Sequence, residues 1–230
     1  SVPTDPYFAN VSLLLTGQGT AGSSAIVDSS ANAWAVTNGS NIVTYNATAP
    51  QIGTTSMKFT GTGNYLRIPQ TAVGNFGTGN FTIEGWMNLA SVTTNTTILW
   101  INGAPGVNAY AGIRLDTSTI NPGFFRHYIS VNGGSWLTTS FYNSTTLSAN
   151  TWYYYTLVRS GATLTVYLNG VADGTFNIGA NSIYSAADTW IGAKNTNTAV
   201  TPSVNTPITG YIEQLRFTAG VARYLSLIHI

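Results

Sequence analysis

The sequence predicts an all-β protein, a two-sheet antiparallel sandwich, and three observations carry that expectation. Short runs of aromatic and β-branched residues recur from end to end, separated by Gly, Asn, Ser and Pro. No window of about 11 residues or more keeps an i, i+3, i+4, i+7 apolar pattern free of Gly, Asn and Thr clusters, so any helix should be a single short turn. Only 7% of the residues are charged, against about a quarter in an average domain. Thr, Asn, Ser and Gly must therefore cover the surface, and these residues favour strands and turns over helix interiors.

In chain order, strands are expected over 11–15, 56–60, 65–68, 81–89, 97–101 and 112–115. They continue at 124–131, 135–139, 152–159, 163–168, 171–176, 189–193 and 211–218. Within 81–89, Phe81, Ile83, Met87 and Leu89 share one face, and Thr82, Glu84 and Trp86 share the other. The most explicit stretch is 152–176, WYYYTLVRSGATLTVYLNGVADGTF, which reads as three strands. Ser160-Gly161-Ala162 turns the chain once. Asn169-Gly170 turns it again, as a type I′ hairpin whose two central residues need positive φ. In 211–217 the apolar Ile212 and Leu215 lie three apart, which breaks the alternation and predicts a bulge near Glu213-Gln214. The loops 102–111 and 195–210, rich in Gly, Pro, Asn and Thr, are ground where function usually sits on a rigid sandwich.

Composition narrows the partners. A net charge of +1, from scattered residues, leaves no basic stripe to neutralise a run of phosphates, so no nucleic acid is expected. No apolar run approaches the roughly 18 to 20 residues that span a bilayer, so no membrane insertion is expected. The absence of cysteine excludes disulfides, thiolate metal sites and cysteine nucleophiles. Six Asn-x-Ser/Thr triplets, at Asn10, Asn38, Asn46, Asn80, Asn95 and Asn143, are no more than chance gives in a chain this rich in Asn, Ser and Thr. The start at Ser1 suggests a processed product or a segment of something longer.

FTIEGWMNL (81–89), WYYYTLVRSGATLTVYLNGVADG (152–174), WIGA (190–193) and GYIEQLRFTAGVARY (210–224) occur in that order. With Asp28-Ser-Ser-Ala-Asn32 they span most of the chain, and the set resembles the laminin-G-like domains of the concanavalin A-like lectin/glucanase superfamily. The resemblance implies a jelly-roll sandwich with sugar-binding, adhesive or purely structural roles. Similar domains with the Gly-Val-Ala-Arg-Tyr ending are frequent in bacteriophage structural proteins. It implies one domain over residues 1–224. The last six residues, 225–230 (LSLIHI), depart from it and match one reading frame of a sequencing-library transposon adapter, as in a metagenomic reading frame that runs into adapter. Relatives carry Phe-Asp-Gly where this chain has Leu15-Thr16-Gly17, and Asp where Glu213 stands. Both positions lie near a calcium site in members that have one.

Candidate chemistry follows from few residues. A glycoside hydrolase needs two carboxylates facing one glycosidic bond, yet Glu84 and Glu213 are the two glutamates present, and neither sits in an E-x-D-x-E strand. Glu84 reads first as a hydrogen-bonded strand residue, and His127, inside the aromatic run FFRHYISV, as a packed one. No catalytic residue is assigned. Calcium wants six to eight oxygens, and Asp28, Asn32 and Glu213 could supply some; the competing reading is that Asp28 and Asn32 close Asx turns while Glu213 hydrogen-bonds beside the bulge. A sugar needs exposed aromatic faces flanked by polar groups. Tyr110 in the long loop, Trp136 after the turn 132–135, and Tyr142 beyond the next strand are the candidates, whereas Trp86, Trp152 and Trp190 are assigned to packing. The expectation is a noncatalytic module that binds a glycan or cell-surface polysaccharide, within a larger virion or secreted protein, extracellular or on a virion surface. The alternative is a structural or decoration domain that contacts other virion or secreted-protein domains without binding sugar.

Overall fold

The computed structural model describes residues 5–39, 42–48, 50–103, 110–195 and 204–224. The tail 225–230 and much of the two long loops lie outside the described residues. The strands are β1 (Val11–Leu15), β2 (Thr37–Asn38), β3 (Thr44–Asn46), β4 (Ser56–Thr60), β5 (Leu66–Ile68) and β6 (Phe81–Leu89). Next come β7 (Thr96–Gly103), β8 (Ile113–Thr117), β9 (Phe125–Ile129), β10 (Thr138–Tyr142), β11 (Trp152–Ser160) and β12 (Thr163–Leu168). The chain closes with β13 (Val171–Asn177), β14 (Asp188–Ile191), β15 (Lys194–Asn195), β16 (Val204–Asn205) and β17 (Thr209–Ala219). Helix among the described residues is confined to short 3₁₀ turns such as Phe8–Asn10 and Thr71–Gly74.

Two antiparallel sheets form the sandwich. The eight-stranded sheet runs β13-β12-β11-β6-β17-β4-β3, with β1 also paired to β17, and the seven-stranded sheet runs β10-β9-β8-β7-β14-β5-β2. Their inner faces meet in one apolar cluster. Leu13, Phe59, Ile83, Met87, Leu157, Val166 and Phe217 face Leu66, Ile68, Leu99, Ile101, Ile113, Leu115, Ile129 and Ile191 across it. This is the two-sheet, jelly-roll arrangement of the concanavalin A-like fold.

The expected turns are present. Asn169 and Gly170 have φ of 51° and 85°, and β12 pairs with β13 through to Leu168 opposite Val171. The bulge also lies where the alternation slips: the β17–β6 register shifts between Glu213 and Arg216, and Gln214 has a φ of 49°. It has an architectural purpose. Before the bulge β17 pairs with β4, through Thr209 to Ile212; after it, Leu215 to Thr218 pair with β1. One strand thereby serves two partners on one edge while β6 pairs along the other.

Two departures have clear causes. β2 and β3 hold only two and three residues, TN and TYN, too short to show a period. The expected strand at 135–139 starts instead at Thr138. Ser130 Oγ donates to Ser135 O at 2.7 Å and accepts from Gly133 N at 3.0 Å, and this staple holds Trp136 out of the ladder.

Candidate functional site

The outer face of the seven-stranded sheet carries chemistry that the core pattern does not require. Reading across the strands, Arg67 stands opposite Trp190, Trp190 opposite Trp100, Trp100 opposite Arg114, and Arg114 opposite Tyr128. A second row places Asp116 opposite Arg126 and Arg126 opposite Tyr142. Each cation lies over a ring. Arg67 is 5.6 Å from the Trp190 ring, Arg114 is 4.5 Å from Tyr128, and Arg126 is 4.6 Å from Tyr128 and 5.8 Å from Tyr142.

Two of the sequence candidates meet on this face. The Trp136 ring lies 4.9 Å from Tyr110 in an edge-to-face arrangement, 5.2 Å from Tyr128 and 6.3 Å from Trp100. Asn132 fixes the preceding turn, its Oδ1 accepting from Gly134 N at 2.9 Å and Ser135 N at 3.0 Å. Tyr142 sits on the edge strand of the same face, separated from Trp136 by Arg126 and Tyr128. All three candidates are partly exposed, whereas Trp100 and Trp190 are buried in a small cluster outside the main core, with Tyr65 and Trp136 packed against it. Gly103 makes that packing feasible, because a Cβ there would stand 1.7 Å from the Trp100 indole nitrogen.

Charge on this face is mostly paired. Arg67 bonds Asp188 and Arg114 bonds Asp116, and burial raises the Asp116 carboxyl above its usual range even beside Arg114. Arg126 donates to Thr139 O at 2.6 Å and has a longer contact with Ser118 Oγ, leaving it without a carboxylate partner among the described residues. Arg67, Trp100, Arg114, Arg126 and Tyr128 were not singled out from sequence, and Trp190 was assigned to packing, which holds for its burial. Alternation was the available signal: Arg114 and Asp116 flank the inward Leu115, and Arg126 and Tyr128 flank the inward His127. The strand order that joins them was not readable.

The residues weighed for metal chemistry are held by their own chain. Asp28 accepts four hydrogen bonds: from Leu14 N and Ser30 N at Oδ1, both 2.9 Å, and from Ser30 Oγ at 2.7 Å and Trp34 N at 2.9 Å at Oδ2. Asn32 donates to Val11 O and Ser12 O. Glu213, fully buried, accepts from Gln51 N at 2.6 Å, from Ile52 N, and from Gln18 Nε2 at 3.1 Å; burial raises its carboxyl pKa. A calcium ion would have to displace several of these bonds to gain its oxygens, and Asp28 and Glu213 share no partner. The donor set as placed does not fit the ion.

The remaining titratable groups are similarly engaged. Glu84, on the outer face of the eight-stranded sheet, accepts from Tyr154 Oη at 2.8 Å and Arg216 Nε at 2.6 Å. His127 points inward between the sheets, its Nδ1 3.0 Å from Phe141 O and its Nε2 2.9 Å from Tyr155 Oη. A carbonyl only accepts, so Nδ1 carries the proton and Nε2 accepts from the tyrosine.

The two-layer antiparallel sandwich, of eight and seven strands, is that of a jelly-roll domain, and its seven-stranded sheet carries an aromatic and cationic outer face. The chain belongs to the concanavalin A-like lectin/glucanases superfamily, whose Laminin_G_3 family model matches residues 60–221. Among solved structures, it is similar to the botulinum neurotoxin serotype G binding domain, with a TM-score of 0.62, 16% identity, and 94% of this chain and 49% of that one covered. It is also similar to the serotype C1 binding domain, with a TM-score of 0.64, 14% identity and coverages of 97% and 50%. The same four values hold for the binding domain of botulinum neurotoxin DC, solved in complex with rat synaptotagmin II. At these identities the likeness is one of fold, and the chain spans about half the length of each. A search of curated protein sequences finds no match.

Proposed function

We propose that this chain is a noncatalytic recognition module that binds a glycan or cell-surface polysaccharide through the outer face of its seven-stranded sheet. The carrying observation is the meeting of Tyr110 and Trp136, partly exposed rings 4.9 Å apart, beside the Tyr128–Arg126–Tyr142 run. Exposed rings stack on the C–H faces of a pyranose, and arginines serve its hydroxyls or acidic groups. The parent is a larger virion or secreted protein, which the charge-poor, Thr- and Asn-rich composition supports. A noncatalytic role is supported by Glu84 and Glu213, both nearly fully buried and hydrogen-bonded within the chain.

The test is a glycan array probed with the wild-type chain and with Trp136→Ala, each in calcium and in chelator. The expected result is retained binding by the wild type in both buffers and at least a tenfold loss in the variant, the order of one lost stacking contact of about 1.4 kcal/mol. Binding lost in chelator would return calcium to Asp28, Asn32 and Glu213. No binding in either buffer would overturn the glycan reading in favour of a structural or decoration domain.

A further inference from the structure

The opposite sheet carries a cavity that the proposed glycan face does not use. It has a volume of about 410 Å³ and is lined by Asp5, Phe8, Leu14, Ile52, Trp86, Tyr154, Gln214 and Arg216. That volume lies in the range of small-molecule sites. Trp86 and Tyr154 are cross-strand partners on β6 and β11, with ring centroids 5.2 Å apart and planes at 53°, so they form a tilted aromatic wall. Phe8 and Ile52, 41% and 46% exposed, form an apolar rim.

Gln214 completes the lining, and its backbone is unusual. It sits in the β17 bulge with a φ of 49°, a region that costs a non-glycine residue conformational energy and that recurs at ligand sites. Its main-chain N–H is tied to Thr16 O at 3.2 Å, while its side-chain amide makes no hydrogen bond to the described residues. Gln214 is partly exposed, so its amide offers a donor and an acceptor to a ligand at the cavity it lines.

The charges of the lining cancel. Arg216 bonds Asp5 at 2.7 Å and also pairs with the buried Glu84, and Arg223 bonds Asp5 at 3.0 Å. Two cations face two anions, so a charged ligand would enter without a free counter-charge and would lose its hydration uncompensated. An aromatic wall, one free amide and a neutral lining describe a receptor for an uncharged ring with one apolar face and a hydroxylated edge.

We infer that this cavity is a second ligand site, on the opposite sheet from the proposed glycan face, that takes one uncharged pyranoside ring against Trp86 and Tyr154 with its hydroxyls on Gln214. With both faces occupied, one chain would bridge two glycan strands, and immobilised glycan would hold it by avidity.

The test is an NMR titration of the full chain with the neutral methyl glycosides of glucose, galactose, mannose and N-acetylglucosamine, followed at the Trp86 and Trp136 indole N–H signals. Glucuronate serves as the charged control. Saturable movement of the Trp86 signal is expected in the millimolar range for at least one neutral glycoside, as befits a single small ring. Glucuronate should bind at least tenfold more weakly. Gln214→Gly, which relaxes the positive φ and so keeps the fold, should weaken binding tenfold or more, whereas Trp136→Ala should leave the Trp86 response unchanged. No saturable response at Trp86, equal affinity in Gln214→Gly, or equal binding of glucuronate would each overturn the second site. The Trp136 signal reports the other face separately, so failure of one reading is distinguishable from failure of the other.

Discussion

His127 and Arg159 are polar side chains with no access to water, and each is retained by a specific set of partners. His127 is fully buried between Phe141 and Tyr155, and burial lowers its pKa to about 4. The unfolded chain, with a histidine near 6.5, binds more protons between those values, so the contribution of His127 is complete above pH 6.5 and is lost as pH falls toward 4. Urea unfolding at pH 7 and pH 4.5 should show about 2 to 3 kcal/mol of acid destabilisation that His127→Gln removes. An equal acid slope in the variant would assign the effect to the carboxylates. Arg159, 1% exposed, donates to Gly161 O, Gly77 O and Gly179 O at 3.0, 3.0 and 3.3 Å, tying three turns together. Arg159→Ala should cost about 3 kcal/mol in the same measurement, since it leaves the Gly161 and Gly179 carbonyls without their donor, while Gly77 O keeps its bond from Ile183 N. A loss under 1 kcal/mol would show that water replaces the guanidinium.

At the scale of elements, the β11–β12–β13 meander and the β17 bulge show turn chemistry deciding register. Gly170 at φ 85° cannot take a Cβ without strain, and Asn169 Oδ1 also accepts from Tyr154 N at 2.8 Å. Gly170→Ala should therefore lower stability by about 1 to 2 kcal/mol with no change in ligand affinity, read by denaturant midpoint and by binding. Both turns were legible in sequence, because Asn-Gly and a broken alternation are local signals. The outer face of the seven-stranded sheet was legible only in pieces. Tyr110, Trp136 and Tyr142 stood out as loop and edge aromatics, but Arg114 and Tyr128 gained meaning only through register, which joins residues from β5, β14, β7, β8 and β9. The other sheet held a further surprise. Thr82 and Glu84 share the face opposite the core, yet both are buried, since Thr82 Oγ1 donates to Val221 O and accepts from Arg223 N, and Arg223 and Arg216 close over Glu84.

At the scale of the whole molecule, closure depends on β17, which pairs with β1, β4 and β6. It supplies Ile212, Leu215 and Phe217 to the shared core. Val11 pairs with Thr218, so the last strand completes what the first begins. A chain ending after Thr206 should lose cooperative unfolding and dispersed amide signals altogether. A folded truncated chain would show that the two sheets hold together without β17. Pairing between residues this distant in sequence also predicts folding in milliseconds to seconds, which stopped-flow fluorescence of the six tryptophans can check.

By itself the sequence determined the all-β class, most strand positions, the type I′ hairpin, the bulge, the packed role of His127 and the hydrogen-bonded role of Glu84, though not its burial. These follow from interactions between near neighbours: alternation of faces, positive φ at Asn-Gly, and the scarcity of charge. Only the tertiary structure decided which outward residues share a face, that Asp28 and Glu213 spend their oxygens on different partners, and that Trp86, Tyr154 and Gln214 enclose a cavity. Each of those depends on strand order and sheet packing, which are set by the summed burial of an entire core and are written in no single stretch of residues.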